Sequence, residues 1–383
     1  MKISFRNIIT AVLAMLLLVA CAAPAQEAEE QQAADGGYAP IRIAVAAPLT
    51  GDTAEYGQGF LNAANMKADH INAAGGVLGR SIEVVAFDDA NSPEQGASIA
   101  LQISESDIVG VIGHFTSSVA MTAAPIYDEN QVVNISPSAS HPDFSSIGDF
   151  IFRNNSVISY EAATGLDIAT SDLGHSRIGV LSILTDWGTS TSSFINDLAA
   201  SMDGVDIVHH EEVLETLSDF STAITNFEVA EAEVIIVAGM YSTLAPLMIQ
   251  YRQINPDMDF IGFSNAYSFL LIDIAGEAAE GLRFPASFFD GSTEPLVADF
   301  VNEFQERFGM VPSSLTAQAF DSVGMLLEAI EAAGTTYGPA VRDALLGITY
   351  NGVTGSAYFI GTGDVVREFY RIMIQDGQFV QVN

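Results

Sequence analysis

Residues 41–91, IRIAVAAPLTGDTAEYGQGFLNAANMKADHINAAGGVLGRSIEVVAFDDAN, decide the fold. Ile41–Ala47 is an apolar run rich in branched side chains, and it predicts a buried parallel strand that ends at Pro48. Apolar residues then recur at helical spacing until Gly75, and a second apolar run follows at 82–87. A strand, a helix and a strand in this order are typical of a doubly wound α/β domain, where ligands bind beyond the carboxyl ends of the strands.

The same alternation of apolar runs and amphipathic segments continues through most of the chain. It contains more strand–helix units than one ordinary open sheet holds, so the length of 383 residues predicts two similar α/β lobes. Residues 350–382 differ, because their short strands are separated by hairpin-like turns at 361–364 and 376–377. Further strands are predicted at 108–112, 132–135, 177–184, 205–209, 234–238, 260–261 and 281–288, and helices at 116–128, 160–173, 189–201, 220–230, 295–308 and 315–333.

The amino terminus has the pattern of an export signal. A short basic region precedes an apolar run at 8–20, which is too short for a comfortable membrane span. Residues 18–21, LVAC, look like a bacterial lipobox, in which Cys21 becomes the lipidated first residue of the mature chain. An ordinary signal peptide with an incidental cysteine is the alternative. We therefore expect a lipoprotein signal peptide at 1–20, a flexible tether at 21–40, and an extracytoplasmic protein anchored to the membrane by lipid alone.

The charge balance excludes several classes of partner. The chain has 13 basic against 48 acidic residues, a formal net charge of −35. Nucleic acid and anionic membrane surfaces both require basic patches, so neither is expected to bind. Cys21 is the only cysteine, and the sequence therefore contains no disulfide framework.

Motifs of enzymes and cofactor sites are weak or missing. Residues 262–266 resemble a nucleophile elbow around Ser264, but no histidine follows that serine to act as its base. The run HHEE at 209–212 suggests a metal only superficially, since adjacent residues of a strand point to opposite faces. There is no Walker loop, GxGxxG motif or cysteine pair. The sequence predicts a protein that is not an enzyme and holds no cofactor or metal.

Two hydroxyl-rich loops follow neighbouring predicted strands. VGVIGHFTSS at 109–118 runs from a strand into a helix that Thr116 or Ser117 can cap. The free N–H groups at such a helix start favour an anion, and Ser117 and Ser118 add hydroxyl donors there. NISPSASHPDF at 134–144 follows the next strand and cannot continue as a helix because of its prolines. The two loops together predict a carboxylate site, although a capped helix without a ligand explains the first one equally well.

Aromatic residues also occur just past the ends of predicted strands. Such side chains suit an apolar pocket that has a few polar groups. Packing within the core is the alternative for each one taken singly. They are Tyr56, Phe115, Trp187, Tyr241, Phe263 and Tyr267.

Eight segments, spread in order over nearly all of 41–383, carry a family resemblance. The chain resembles the branched-chain amino-acid-type (Leu/Ile/Val-binding-like) substrate-binding proteins of ABC importers, which have the type I periplasmic binding fold. The segments are PLTGDTAEYG, INAAGGVLGR, FDDANSPEQGA, VIGHFTSS, ISPSASHPDF, TDWGTS, IAGEAAEGL and YNGVTGSAYF.

The resemblance implies two Rossmann-like lobes that are joined by three crossing strands and close on a ligand by a hinge. The chain is then expected to cross between lobes near Ser156, Ser287 and Tyr370. A monomer that delivers its ligand to separate permease and ATPase subunits is implied as well. The implied lobes are 41–156 with 287–369, and 157–286 with 370–383.

The resemblance also implies roles for individual residues. The ligand carboxylate is held by hydroxyls and helix N–H groups that match Ser117 and Ser140, and the carbonyl that matches Ser138 faces the ligand ammonium. Aromatic rings surround the ligand. The predicted ligand-binding residues are Tyr56, Ser117, Ser118, Ser138, Ala139, Ser140, Trp187, Tyr241 and Ser264.

The chain departs from the family pattern at two places, and the second of them bears on the ligand. Some members have a disulfide at the positions of Asn91 and Thr116, and this chain lacks that link because neither residue is a cysteine. In the amino-acid binders, the acid that pairs with the ammonium falls at Ser264, and a buried ammonium without a carboxylate is costly. Either Glu161 or Asp186 supplies that acid, or the ligand is an amide, a urea-like compound or an aromatic or aliphatic acid.

The sequence thus predicts a lipid-anchored protein that captures a small carboxylate-bearing solute, an apolar amino acid above all, for an ABC importer. The alternative is a receptor module that reports the presence of its ligand without transporting it.

Overall fold

The computed structural model describes residues 38–365 and 367–382. The predictions for the signal peptide, for lipid on Cys21 and for most of the tether lie outside these residues.

The first part of the chain forms five strands with helices between them. Their order along the chain agrees with the predicted opening of strand, helix and strand. The elements are β1 (Ile41–Ala47), α1 (Ala54–Ala73), β2 (Ile82–Asp88), α2 (Pro93–Ser104), β3 (Ile108–Gly113), α3 (Ser117–Glu129), β4 (Val133–Ser136) and β5 (Ile151–Arg153).

The middle of the chain repeats this alternation. Its first helix, α4, is followed by a short π-helical turn at Ile168–Asp172. The elements are α4 (Ile158–Asp167), β6 (Arg177–Ile183), α5 (Asp186–Ala200), β7 (Asp206–Val213), α6 (Ser221–Val229), β8 (Val234–Ala238), α7 (Tyr241–Arg252), β9 (Asp259–Ile261), α8 (Phe269–Ala275) and β10 (Arg283–Ala286).

The last part begins with helices and ends with short strands, as the change of pattern after residue 350 predicts. The elements are α9 (Pro295–Phe308), α10 (Ser314–Ala333), α11 (Gly338–Gly347), β11 (Thr349–Gly352), β12 (Gly355–Ile360), β13 (Asp364–Val365), β14 (Tyr370–Gln375) and β15 (Gln378–Val382).

Two main sheets result, and both have the order of a doubly wound fold. The first is parallel throughout, in the order β2-β1-β3-β4-β5. The second has the order β15-β14-β10-β9-β8-β6-β7, and only β14 and β15 run antiparallel to their neighbours. A small sheet, β11-β12-β13, adds to them. The predicted α/β class with two similar units is confirmed.

The chain passes between the two main sheets after β5, after β10 and between β13 and β14. Helix α10 lies between the second and third passages, and it packs against α1 beside the first sheet. The passages are tied together by polar contacts of Gln318 on α10. Its side-chain amide donates to Ser287 Oγ at 2.6 Å and to Asn155 Oδ1 at 3.3 Å, and its backbone carbonyl accepts from Asn154 Nδ2 at 2.8 Å. Arg367 Nε in turn donates to the Asn154 carbonyl at 3.1 Å.

Several boundaries differ from the prediction. Strand β7 extends to Val213, so the run HHEE lies inside a strand and not at its end. The helix predicted at 160–173 ends at Asp167, where the π-helical turn takes over. Helices α2, α7 and α11 are not predicted from apolar spacing. Among residues 38–365 and 367–382, no helix combines the length and apolar character that crossing a membrane requires.

Candidate functional site

A cavity of about 500 Å³ lies where the carboxyl ends of the parallel strands of the two main sheets face each other. In each sheet the strand order reverses at the cavity, between β1 and β3 and between β6 and β8. Doubly wound folds bind ligands at such positions, and this volume is ordinary for a small-molecule site. Of the predicted ligand-binding residues, Ser117, Ser118, Ser138, Ser140, Trp187 and Ser264 line the cavity, whereas Tyr56, Ala139 and Tyr241 do not.

Ser117 and Ser140 form a hydroxyl cradle on the wall that belongs to the first sheet. Ser117 is the first residue of α3, and Ser140 lies in the loop after β4. Both are buried. Within the described ranges neither hydroxyl has a hydrogen-bond partner, and the first N–H groups of a helix have no partner inside the helix. Free hydroxyl and N–H donors at a helix start together suit an anion such as a carboxylate.

Ser138 lines the same wall but has its polar atoms engaged. Its hydroxyl donates to the Phe115 carbonyl at 2.6 Å, and its own carbonyl accepts from Asn155 Nδ2 at 2.9 Å. Ala139 is buried behind it, where its N–H donates to Ser136 Oγ at 2.9 Å. These bonds fix the loop after β4 and thereby the position of the cradle.

The loop before α3 is fixed by a second buried set of contacts. The prediction that Thr116 can cap the helix is wrong for its side chain, because the hydroxyl donates to Asn91 Oδ1 at 2.6 Å instead. Below it, His114 Nδ1 lies 2.6 Å from Asp89 Oδ2, and His114 Nε2 lies 3.1 Å from the Tyr127 hydroxyl. All three side chains are buried, so the loop rests on a polar cluster inside the first unit.

Trp187 stands on the opposite wall, in the first turn of α5. Its ring meets Phe263 edge to face at 6.0 Å, and Thr185 caps the helix by accepting from the Gly188 N–H at 3.1 Å. A Cβ atom at Gly188 would come within 2.1 Å of the Ile183 carbonyl oxygen. Residue 188 must therefore be glycine. This lets the first turn of α5, which carries Trp187, pack directly against the end of β6.

Tyr56 and Tyr241 bridge the two units next to the cavity. The Tyr56 ring stacks on Phe115 at 4.4 Å, and its hydroxyl donates to the Asn265 carbonyl at 2.8 Å. The Tyr241 hydroxyl donates to the Asp52 carbonyl at 3.0 Å. Burial raises the pKa of Tyr241 to about 12, so the hydroxyl keeps its proton at neutral pH. In this conformation both tyrosines join the units, and neither forms part of the cavity wall.

Ser264 faces an acid from another element. Its hydroxyl donates to Glu161 Oε1 at 2.8 Å, and its N–H donates to Glu161 Oε2 at 3.4 Å. Glu161 lies on α4, lines the cavity and is only 2% exposed. Burial raises its pKa to about 7, and the Ser264 bonds oppose that rise. Asp186, the other candidate acid, also lines the cavity but is exposed at the start of α5.

Several lining residues escaped sequence analysis. Glu215 follows β7, and its position just past a strand end was a signal that could have identified it. Asn155 lies in the first passage between sheets, and Leu315 lies on α10 far along the chain. No local pattern distinguishes these two, because only the folded chain brings them to the cavity.

Comparisons with known proteins agree with this arrangement. A family described as "Periplasmic binding protein" matches residues 40–383. The leucine-, isoleucine-, valine-, threonine- and alanine-binding protein of Pseudomonas aeruginosa is 28% identical over 329 residues, which cover 85% of this chain and 87% of that protein. An ABC transporter substrate-binding protein from Desulfitobacterium hafniense, solved in complex with Leu, is similar at a TM-score of 0.76 and 25% identity, covering 90% of this chain and 100% of that one. The isoleucine complex of LivJ from Streptococcus pneumoniae shares the fold at a TM-score of 0.83 and 22% identity, and the match covers 90% of this chain and 100% of that one.

Proposed function

Because the chain belongs to the periplasmic binding protein family, we propose that it captures a small carboxylate-bearing solute, above all an apolar amino acid, for an ABC importer. The solute binds in the cavity between the two units and is passed to the permease. The protein binds its solute without converting it.

The observation that carries this proposal is the pair of hydroxyls of Ser117 and Ser140 on the cavity wall, which have no hydrogen-bond partner in the part of the chain that the structure describes. The helix start at Ser117 adds N–H donors to the same spot. Trp187 and apolar residues such as Leu315 and Met240 line the rest of the cavity. A solute with one carboxylate and an apolar body therefore matches both parts of the site.

Closure of two lobes around the solute is part of the proposal. We assign 41–156 with 287–369 to one lobe and 157–286 with 370–383 to the other, with passages near Ser156, Ser287 and Tyr370. The cavity is lined from both sides, so a solute that touches both walls stabilises the closed form.

The proposed location is extracytoplasmic, on the membrane surface. A lipid on Cys21 holds the protein there as a monomer, within reach of the permease and its ATPase. Cys21→Ala should move the protein from the membrane fraction to the soluble one, and unchanged retention would contradict the anchor.

Thermal unfolding against a panel of solutes tests the binding function. The panel contains branched and aromatic amino acids, short amides, urea and the matching carboxylic acids. A ligand at about 100 times its dissociation constant adds roughly 2.7 kcal/mol of stability and raises the unfolding midpoint. A shift with one or more carboxylate-bearing solutes supports the proposal. A shift with amides or urea alone, or with none of the panel, contradicts it.

A further inference from the structure

Three carboxyl groups are buried among the described residues, and two of them have basic neighbours. Asp89 lies 2.6 Å from His114. Asp321 lies close to Arg367, and both contact the hydroxyl of the same threonine. The third buried carboxyl, that of Glu161, differs from these two.

Among residues 38–365 and 367–382, no lysine, arginine or histidine is paired with Glu161. Its hydrogen bonds within the described ranges come from the side chain and the backbone N–H of Ser264. No lysine, arginine or histidine is found among the described residues that line the cavity. A buried carboxylate without a cation is costly, and burial accordingly raises the pKa of this group to about 7. The acid is thus held at some cost to stability, at a position that opens onto the cavity.

The cavity contains both kinds of group that a zwitterionic solute requires. The hydroxyl cradle of Ser117 and Ser140 comes from the first unit, and Glu161 comes from α4 of the second. All three line one cavity. A cation brought by the solute would supply the partner that Glu161 lacks in the protein.

We propose that Glu161 binds the ammonium group of an α-amino acid whose carboxylate is held by Ser117 and Ser140. This inference rests on the proposed function and narrows its solute to amino acids, excluding amides, urea-like compounds and simple acids. The acid stands on the wall of α4, whereas the resemblance places it just after β9, at Ser264. Ser264 acts as a positioning residue, because its hydroxyl and N–H hold the carboxyl in place.

The other acids of the cavity are less suited to this role. Asp186 is exposed in the first turn of α5, where the helix itself stabilises its charge. Glu215 is half-buried close to Asp52, and burial together with that negative neighbour raises its pKa. Neither has the nearly complete burial of Glu161.

The test compares each amino acid with the acid that lacks only its amino group. Leucine is paired with 4-methylpentanoate, and isoleucine and valine are paired in the same way. Calorimetry on the wild-type protein should show that at least one of these amino acids binds 100-fold or more tightly than its partner acid. Equal affinity within a pair, or tighter binding of the acid, would overturn the inference and leave carboxylate capture intact. Binding of neither member of any pair would instead contradict the proposed function for this solute class.

Three variants test whether Glu161 is the residue that makes amino acids bind more tightly than their partner acids. Glu161→Gln should weaken amino-acid binding at least tenfold and leave the partner acids unchanged, while Asp197→Asn, at an exposed position of α5 outside the cavity lining, should change neither. The exchange Glu161→Ser with Ser264→Glu places the acid after β9 and should recover at least part of the lost affinity. Wild-type affinity for amino acids in Glu161→Gln would overturn the assignment. If that variant fails to fold, the solute pairs on the wild-type protein still test ammonium recognition, and the pH dependence of amino-acid binding tests whether the acid has the raised pKa of Glu161.

Discussion

Thr116 Oγ1 donates a hydrogen bond of 2.6 Å to Asn91 Oδ1, and this contact joins the loop after β2 to the start of α3. The next residue along the chain is Ser117 of the cradle, so the bond fixes the place where a carboxylate is expected. It also occupies the positions at which the family resemblance places a disulfide in some members. Here a hydrogen bond replaces the covalent link.

A covalent link should therefore be accepted at these positions. In the variant Asn91→Cys with Thr116→Cys, oxidation closes a loop of about 25 residues and should add about 3 kcal/mol to the free energy of unfolding. Denaturant unfolding of the oxidised and reduced forms of the same variant measures the gain. Free thiols after mild oxidation, or equal stability of the two forms, would show that the positions cannot be bridged without strain.

Ser140→Ala should weaken solute binding by about 1 to 3 kcal/mol, because it removes a buried donor from the carboxylate. Titration calorimetry with the best solute of the panel measures the change. Ser146→Ala is the matched control, since Ser146 is exposed in the same connection between β4 and β5 and does not line the cavity. Equal affinities of the two variants would remove Ser140 from the binding site.

Amino-acid binding should become tighter as the pH rises from about 5.5 to 8. Burial raises the pKa of Glu161 to about 7, so the free protein holds a proton there below neutral pH. An ammonium binds the ionised carboxylate, and binding in acid must release that proton. Affinity should then fall by about tenfold for each pH unit well below 7.

Calorimetry at several pH values, in two buffers of different ionisation heat, measures both the affinity and the released proton. Glu161→Gln should remove the dependence. A constant dissociation constant between pH 5.5 and 8 would show that Glu161 does not change its protonation on binding.

Glu161 should also make the stability of the solute-free protein depend on pH, but here the stability falls as the pH rises. The folded-state pKa of Glu161, about 7, lies above its ordinary value of 4.5. Its contribution to stability is therefore full below pH 4.5 and is lost as the pH rises through 7. The loss at pH 8 is on the order of 3 kcal/mol.

Glu161→Gln avoids that loss, so its free energy of unfolding relative to wild type should rise between pH 5 and pH 8. Urea unfolding of both proteins without solute provides the comparison. A difference between them that stays the same at the two pH values would contradict the raised pKa.

Tyr56→Phe should weaken solute binding about fivefold, because the variant lacks the hydroxyl that bridges to the Asn265 carbonyl. The ring still stacks on Phe115, so unfolding should change little. Tyr160→Phe removes a hydroxyl from an exposed ring and serves as the control. Unaltered affinity in Tyr56→Phe would mean that the bridge does not contribute to the closed form.

Sequence analysis identifies the repeating units well where local signals are strong. Strand β8 is a continuous apolar run and is completely buried, and β1 is apolar and buried at every position except Arg42. Helix α2 was missed although Ser92 caps it by accepting from the Gln95 N–H and proline occupies its first turn. Helix α7 has Pro246 in its interior and apolar residues around much of its surface, so its amphipathic signal is weak.

The candidate site was predictable as two serine loops, because strand ends in parallel sheets converge on one edge. The serine residues alone did not reveal which hydroxyls are free. Ser138 and Ser264 have the same side chain as Ser117 and Ser140, yet the first pair is engaged in hydrogen bonds inside the protein. Such differences depend on the approach of distant segments, as for Glu161 and Ser264, which lie 103 residues apart in sequence.

The passages of the chain between the sheets also determine when each part can be completed during folding. The five strands of the first sheet are present once residue 153 has been added, but α10, which packs on α1, begins only at Ser314. A chain that stops after β10 therefore leaves the apolar side of α1 exposed to water, and it also lacks β14 and β15, which complete the second sheet beside β10. We therefore expect that a single cut in the polypeptide cannot give two fragments that each contain one complete sheet with its helices. An exported chain must accordingly be protected from aggregation until almost its last residues have emerged.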